Sequence, residues 1–210
     1  MQEHFADILS KEIFPYVSKP AQYIGGEYNT CKKDWQDCTV KGVFIFPDTY
    51  EIGMSHSGSR ILYDVINRIP RFLMERAYAP LDDMEQLLRK KGLPLFSIES
   101  KRPLGDFDFL AFTLQYELSY SNILNIIDLA GIPVWSAERD DSPLILAGGP
   151  CAYNPEPLAE FVDAFLIGDG EECFPEVVEM IEKGKQTGWD KRTLLRHMAD
   201  IPGVYVPRFY

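Results

Sequence analysis

Long apolar runs are missing from this chain of 210 residues. No stretch approaches the roughly 20 apolar residues of a membrane-spanning helix, so no membrane partner is expected. The opening stretch MQEHFADILSKEIF has acidic residues early and no long apolar core, which argues against a secretory signal. Positive charge is scarce. Against 21 Lys and Arg stand 32 Asp and Glu, a net charge of −11. Binding to a phosphate backbone needs clustered Lys and Arg, so this segment is not expected to contact nucleic acid directly. The four cysteines (Cys31, Cys38, Cys151, Cys173) are scattered, with no CxxC pair and no His-rich stretch beside them. They read as reduced thiols of a cytoplasmic protein, and no metal site is assigned. Neither GxGxxG nor GxxxxGK[ST] occurs, which argues against NAD and ATP sites. No Ser-His-Asp or Cys-His spacing is present, so no catalytic residue is assigned.

What is present is ordinary for a soluble globular protein, 46% hydrophobic and 25% charged. The length suffices for one sizeable α/β domain with appendages. The most informative stretch runs from Pro143 to Glu172. Two short apolar runs, Leu144–Ala147 and Ala164–Ile167, are stopped by Gly148-Gly149-Pro150 and by Gly168-Asp169-Gly170. Such runs, bounded by Gly and Pro, read as buried strands of a parallel sheet. A glycine pair at a strand's carboxyl end lets backbone approach a ligand closely.

The rest of the chain follows the same alternation. A first helix is expected over 1–17, with Pro15 ending its pattern, and then an ordered arm over 18–37. Strands are expected at Lys41–Phe46, Phe72–Tyr78 and Phe107–Leu114, with a short extended piece at Leu95–Ile98. Helices are expected at Ser59–Ile69, Leu81–Lys91, Leu118–Ala130, Pro175–Lys183 and Lys191–Asp200. A last strand near Gly203–Val206 has little sequence left to pair with. The pattern implies an α/β, doubly wound, mostly parallel five-stranded sheet of the flavodoxin-like, Rossmann type, with a helical N-terminal arm and C-terminal helices. The expected division is an arm over 1–38, the Rossmann-like domain over 39–186 and a helix with linker over 187–210.

In such sheets ligands sit beyond the carboxyl ends of the strands. Four loops are expected there: Asp48–Gly58, Leu114–Glu117, Gly148–Tyr153 and Gly168–Glu172. In the first, His56 reads either as a ligand-facing imidazole or as a polar residue near a helix start capped by Ser55 or Ser57. In the second, Gln115 and Glu117 read either as hydrogen-bonding a ligand or, for Glu117 with Tyr116, as capping the next helix. In the last, Glu171 and Glu172 fit the amino end of the following helix better than an acid–base pair.

The combination FPDTYEIGMSHSG, ILYDVINR, ERAYAPLDDME, FDFLAFTLQYELSYSNILN and LAGGPCAYNPEPLAEFVDAFLIGDGEE resembles the N-terminal domain of cobalamin-type radical SAM proteins. The resemblance covers the chain from about Lys11 onward. It implies a Rossmann-like cobalamin-binding-type domain, not catalytic alone, followed in the same polypeptide by a radical SAM barrel. That barrel would carry the 4Fe-4S cluster on a CxxxCxxC loop and bind S-adenosylmethionine; no CxxxCxxC occurs here. Cobalamin is the cofactor the resemblance implies for this domain. Its binding residues carry over to Tyr50, His56, Gly58, Thr113, Gln115, Gly148, Gly149, Gly168 and Gly170. The family's D-x-H-x-x-G loop is altered, with Met54 in the Asp position and Ser59 in the Gly position around His56. The Asp normally orients a ligating imidazole. A Rossmann-like scaffold that docks on the barrel and binds no cofactor is the alternative.

Overall fold

The computed structural model describes residues 2–28, 30–140 and 143–210. Met1 of the expected first helix, Asn29 of the arm and residues 141–142 lie outside the described residues. The opening segment is one α-helix, α1 (Gln2–Ile8), that loosens into a π-turn over Leu9–Ile13 and a 3-10 turn over Phe14–Tyr16. Pro15 cannot continue the helical ladder, which ends the segment before Val17.

The sheet begins with β1 (Val40–Phe46), followed by two helices, α2 (Tyr50–Ser55) and α3 (Ser57–Asn67). The stretch expected as one loop, Asp48–Gly58, is therefore mostly helical. Next come β2 (Phe72–Tyr78), α4 (Asp82–Lys91), β3 (Phe109–Thr113) and α5 (Tyr120–Leu129). Between α4 and β3, the piece expected at Leu95–Ile98 makes only a single bridge, Phe96 to Pro103. The chain ends with β4 (Leu144–Gly148), β5 (Ala164–Leu166), α6 (Gly170–Thr187), α7 (Lys191–Met198) and β6 (Val204–Tyr205).

Strand order is β2-β1-β3-β4-β5-β6, with the first five parallel. The order 2-1-3-4-5 is the flavodoxin-like arrangement of doubly wound sheets. The sheet has one strand more than the five expected. The segment near Gly203 is not left unpaired: β6 runs antiparallel to β5, with Tyr205 opposite Phe165 and Val204 opposite Leu166.

Period-2 alternation sends the strands' side chains to two cores. Val43, Ile45, Leu110, Phe112, Ile145 and Phe165 pack under α4, α5 and the arm. Phe44, Met74, Phe109, Leu146 and Leu166 pack under α3, α6 and α7. Where β1 pairs with β3, Gly42 gives the Phe109 ring its place, because a Cβ there would overlap that ring. Helix α4 is charged along its dipole, with Asp82, Asp83 and Glu85 first and Arg89, Lys90 and Lys91 last, before Gly92 in the left-handed region.

The edge strand β2 has partners for its outer backbone groups. Asn67 takes both polar groups of Met74, at 3.0 and 2.9 Å. Glu99 accepts the Arg76 N–H, Ile98 donates to the Arg76 carbonyl, and Lys33 reaches the Phe72 carbonyl. That edge is closed to another strand, as open edges of native sheets usually are. Among the described residues, no helix is long and apolar enough to cross a membrane.

Candidate functional site

A cavity of ≈ 230 Å³ opens at the carboxyl ends of β1, β3, β4 and β5. Phe44, Ala111, Leu146, Leu166 and Phe174 give it an apolar floor, while Thr113, Gln115, His56, Ser59 and Asp169 supply polar groups. This is the strand-end position at which doubly wound sheets bind ligands.

Two glycine turns shape the rim. Gly149 has φ +107°, a conformation nearly closed to residues with a Cβ. A Cβ at Gly148 would stand 3.3 Å from the Leu166 carbonyl oxygen. The backbone here is locked: Leu114 N–H donates to the Gly148 carbonyl at 2.6 Å, and Cys151 N–H to the Leu114 carbonyl at 3.0 Å. Opposite, Gly168 has φ +113° with no atom within 4 Å of where its Cβ would lie, so it borders open space.

Helix α6 starts against the cavity, and Gly168, Asp169, Gly170 and Glu171 line it. Its cap residue, Asp169, makes no side-chain cap hydrogen bond, so among the described residues the first N–H groups keep their donor capacity. Glu171 and Glu172 both fall in the first turn, where the helix dipole favours them. The helix begins five residues before the Pro175 start expected; Pro175 lies inside it.

On the other wall, His56 is itself the cap of α3. Its Nδ1 accepts the Ser59 backbone N–H at 3.1 Å, and the Ser59 hydroxyl lies 2.7 Å from the same nitrogen. The expected caps, Ser55 and Ser57, are not used; Ser55 donates instead to the Ile52 carbonyl at 2.7 Å. Met54, in the position of the family's aspartate, turns its sulfur to the Tyr78 hydroxyl at 2.9 Å and to Arg76 at 3.3 Å. Gln115 donates from Nε2 to Thr113 Oγ1 at 2.6 Å, which leaves the threonine proton available to the cavity.

Of the nine binding residues carried over from the resemblance, the structure brings eight together around the cavity: His56, Gly58, Thr113, Gln115, Gly148, Gly149, Gly168 and Gly170. Tyr50, the ninth, lies elsewhere. It does not line the cavity; its hydroxyl donates to Glu27 at 3.1 Å and its ring packs edge-on against Tyr78. Because α2 forms where a loop was expected, Tyr50 sits in its first turn, against the arm. Glu117 starts a 3-10 turn, and Tyr116 bonds Asp48 at 2.8 Å. The sequence reading missed Phe44, Leu62, Ser59 and Phe174 as lining residues. Only Ser59 carried a signal, since it stands three residues after His56, the distance from a cap to the N–H it accepts.

No group of three or more His, Cys, Asp or Glu among the described residues is placed to hold a metal ion. Burial pushes the thiols of Cys31, Cys38, Cys151 and Cys173 above their ordinary value, so all four are protonated at neutral pH.

A family model described as radical SAM proteins, N-terminal, matches residues 58–207. The chain belongs to this family. This radical SAM N-terminal domain is 34% identical over 85 residues to an uncharacterised protein of Methanocaldococcus jannaschii, covering 40% of the chain and 18% of that protein. Among solved structures it is similar to the radical S-adenosylmethionine methyltransferase TsrM from Kitasatospora setae, solved with its tryptophan substrate and a SAM analog. That likeness has a TM-score of 0.45 and 16% identity, over 79% of the chain and 28% of TsrM. The chain thus spans well under half the length of either protein.

Proposed function

We propose that this chain is a cobalamin-type carrier domain of a radical SAM enzyme. The observation that carries the reading is the strand-end cavity, apolar below and rimmed by Gly148, Gly149 and Gly168. A corrinoid has a nucleotide tail that ends in a flat aromatic base. An apolar floor that includes Ala111 suits such a base, and the glycine turns leave room for the sugar and phosphate. The free N–H groups at the start of α6 suit a phosphodiester.

Among the described residues, the lining contains Asp169 and Glu171 but no Lys or Arg. That favours a ligand with little net negative charge over a free polyphosphate nucleotide. Thr113, Gln115, Gly148, Gly149, Gly168 and Gly170 are the residues that would hold the tail. When bound, the corrinoid supplies methyl-transfer chemistry; this chain's residues bind and orient it and contribute no catalytic group.

On this reading, residues 39–210 form the binding unit, because the segment expected as a linker, 187–210, supplies α7 to the second core and β6 to the sheet; residues 1–38 pack on it, and the partner is a radical SAM barrel of the same polypeptide. The barrel would bind the 4Fe-4S cluster and S-adenosylmethionine. A cytoplasmic setting fits the four cysteines, none of which is in a disulfide.

A second reading rests on exposure beside the cavity. Leu118 is 85% exposed and Tyr153 75%, each on a segment that follows a strand's carboxyl end. Large apolar groups left in water there suit a scaffold that docks on the barrel and binds no cofactor.

An absorbance titration of the chain with hydroxocobalamin separates the two. The carrier reading expects a saturable spectral shift that Gly149→Trp abolishes. A chain that gives no shift, or a shift unaffected by that substitution, contradicts it.

A further inference from the structure

We infer that His56 serves this cavity as a fixed hydrogen-bond donor through Nε2–H and is not a metal ligand. The inference rests on the carrier reading only for the identity of the ligand. The proton assignment follows from the chain alone.

A backbone N–H can only donate. The Ser59 N–H points at His56 Nδ1 from 3.1 Å, so that nitrogen offers its lone pair. The Ser59 hydroxyl, 2.7 Å from the same nitrogen, must then be a donor as well. A neutral imidazole whose Nδ1 accepts carries its proton on Nε2. Nε2 has no hydrogen-bond partner among the described residues, and His56 lines the cavity.

A metal-bound histidine has the reverse arrangement. It ligates through one nitrogen and donates from the other, usually to a carboxylate or a carbonyl. Here the nitrogen that would donate is the acceptor, and the residue that could have taken its proton is Met54, whose sulfur is turned to Tyr78 and Arg76. Ligation through Nε2 with Nδ1 still accepting the Ser59 N–H would require an imidazolate. Ligation through Nδ1 would uncap α3 at its first turn, where Gly58, Ser59 and Leu62 form the cavity wall.

The same polarity recurs at Thr113, whose oxygen accepts from Gln115 and whose proton is left over. At His56 and Thr113 the cavity thus presents donors to its ligand, while Asp169 and Glu171 line another part of it. The complementary group bears acceptors, such as a ring nitrogen of the base or an oxygen of the sugar or phosphate in the nucleotide tail.

Asparagine separates the two duties of His56, because its side-chain oxygen can cap α3 while it has no Nε2–H. The first test is a long-range ¹H–¹⁵N spectrum of the imidazole-labelled chain, with His56 assigned by its loss in His56→Asn. An Nε2–H tautomer is expected; an Nδ1–H tautomer overturns the inference. The second test titrates hydroxocobalamin into wild type and His56→Asn. The variant should melt with the wild type and bind about five- to tenfold more weakly, the loss of one hydrogen bond. Equal affinity overturns the donor role. Electron paramagnetic resonance of bound cob(II)alamin should show no splitting from ¹⁵N-labelled histidine, and such splitting would also overturn it. A wild-type chain that binds no corrinoid contradicts the carrier reading and the ligand named here, whereas the tautomer still decides whether His56 is built as a donor.

Discussion

A Cβ on Gly149 would lie 3.0 Å from the carbonyl oxygen of Leu114 and 3.2 Å from its nitrogen. The β3 and β4 turns are therefore pressed together at the cavity rim, and only glycine fits between them. Gly149→Ala should combine this crowding with backbone strain of about 1–3 kcal/mol. Gly168→Ala carries a similar strain but meets open space, so it should cost less. Urea midpoints of the two variants check the order. Equal losses would mean that the Leu114 contact is not tight.

A second expectation concerns a buried charge cluster. Asp163 pairs with Lys191 at 2.8 Å and Arg139 at 3.3 Å, and it accepts the Ile145 N–H at 2.8 Å. Arg139 is fully buried and also donates to the carbonyls of Pro133, Val134 and Phe161. Asp163→Ala would leave two cations without their counter-charge and should cost about 3–5 kcal/mol. Lys191→Met leaves Asp163 paired with Arg139 and should cost clearly less. Chemical denaturation of both variants tests the ranking.

The arm's tether at Ser18 should weaken with acid. Asp83 accepts the Ser18 N–H at 2.6 Å, and that hydrogen bond holds its carboxyl below the ordinary value. A lowered folded-state pKa gives stability that is fully present above the unfolded value, about 3.9. It is lost as pH falls through the folded value. Asp83→Asn should therefore be less stable than wild type near neutrality, with the gap closing below pH 4. A gap that stays constant from pH 7 to pH 2.5 would exclude this linkage.

Tyr50 supplies a negative control. Because its hydroxyl contacts Glu27 outside the cavity, Tyr50→Phe should leave corrinoid affinity unchanged within about twofold. A larger loss in a titration would mean that α2 moves when ligand binds.

The contrast between Tyr50 and Gly149 shows what could be read without coordinates. Strands β1, β4 and β5 were readable because buried parallel strands are short apolar runs stopped by Gly or Pro, as at Leu144–Gly148, and β3 because Phe109–Thr113 is a like run. Their carboxyl ends then brought the glycine turns to one edge. Helix α2 was hidden because Tyr50–Ser55 contains Gly53 and only one acidic residue in its first turn. It is held by tertiary partners, among them Glu51 with Lys19 and Gln22 from the arm, and Met54 with Tyr78. Strand β6 is only Val204–Tyr205, too short for any period, and its pairing with β5 depends on the long return through α6 and α7. The polarity of His56 was beyond reach for a similar reason. Sequence placed it near a helix start, but which nitrogen caps the helix is a matter of geometry.

The most direct measurement compares cobalamin with cobinamide, the corrinoid that lacks the nucleotide tail, by titration into the same chain. If the cavity holds the tail, cobalamin should bind saturably and cobinamide about tenfold or more weakly. Equal affinity for both, or no saturable binding of either, would contradict the assignment of this cavity to a corrinoid tail.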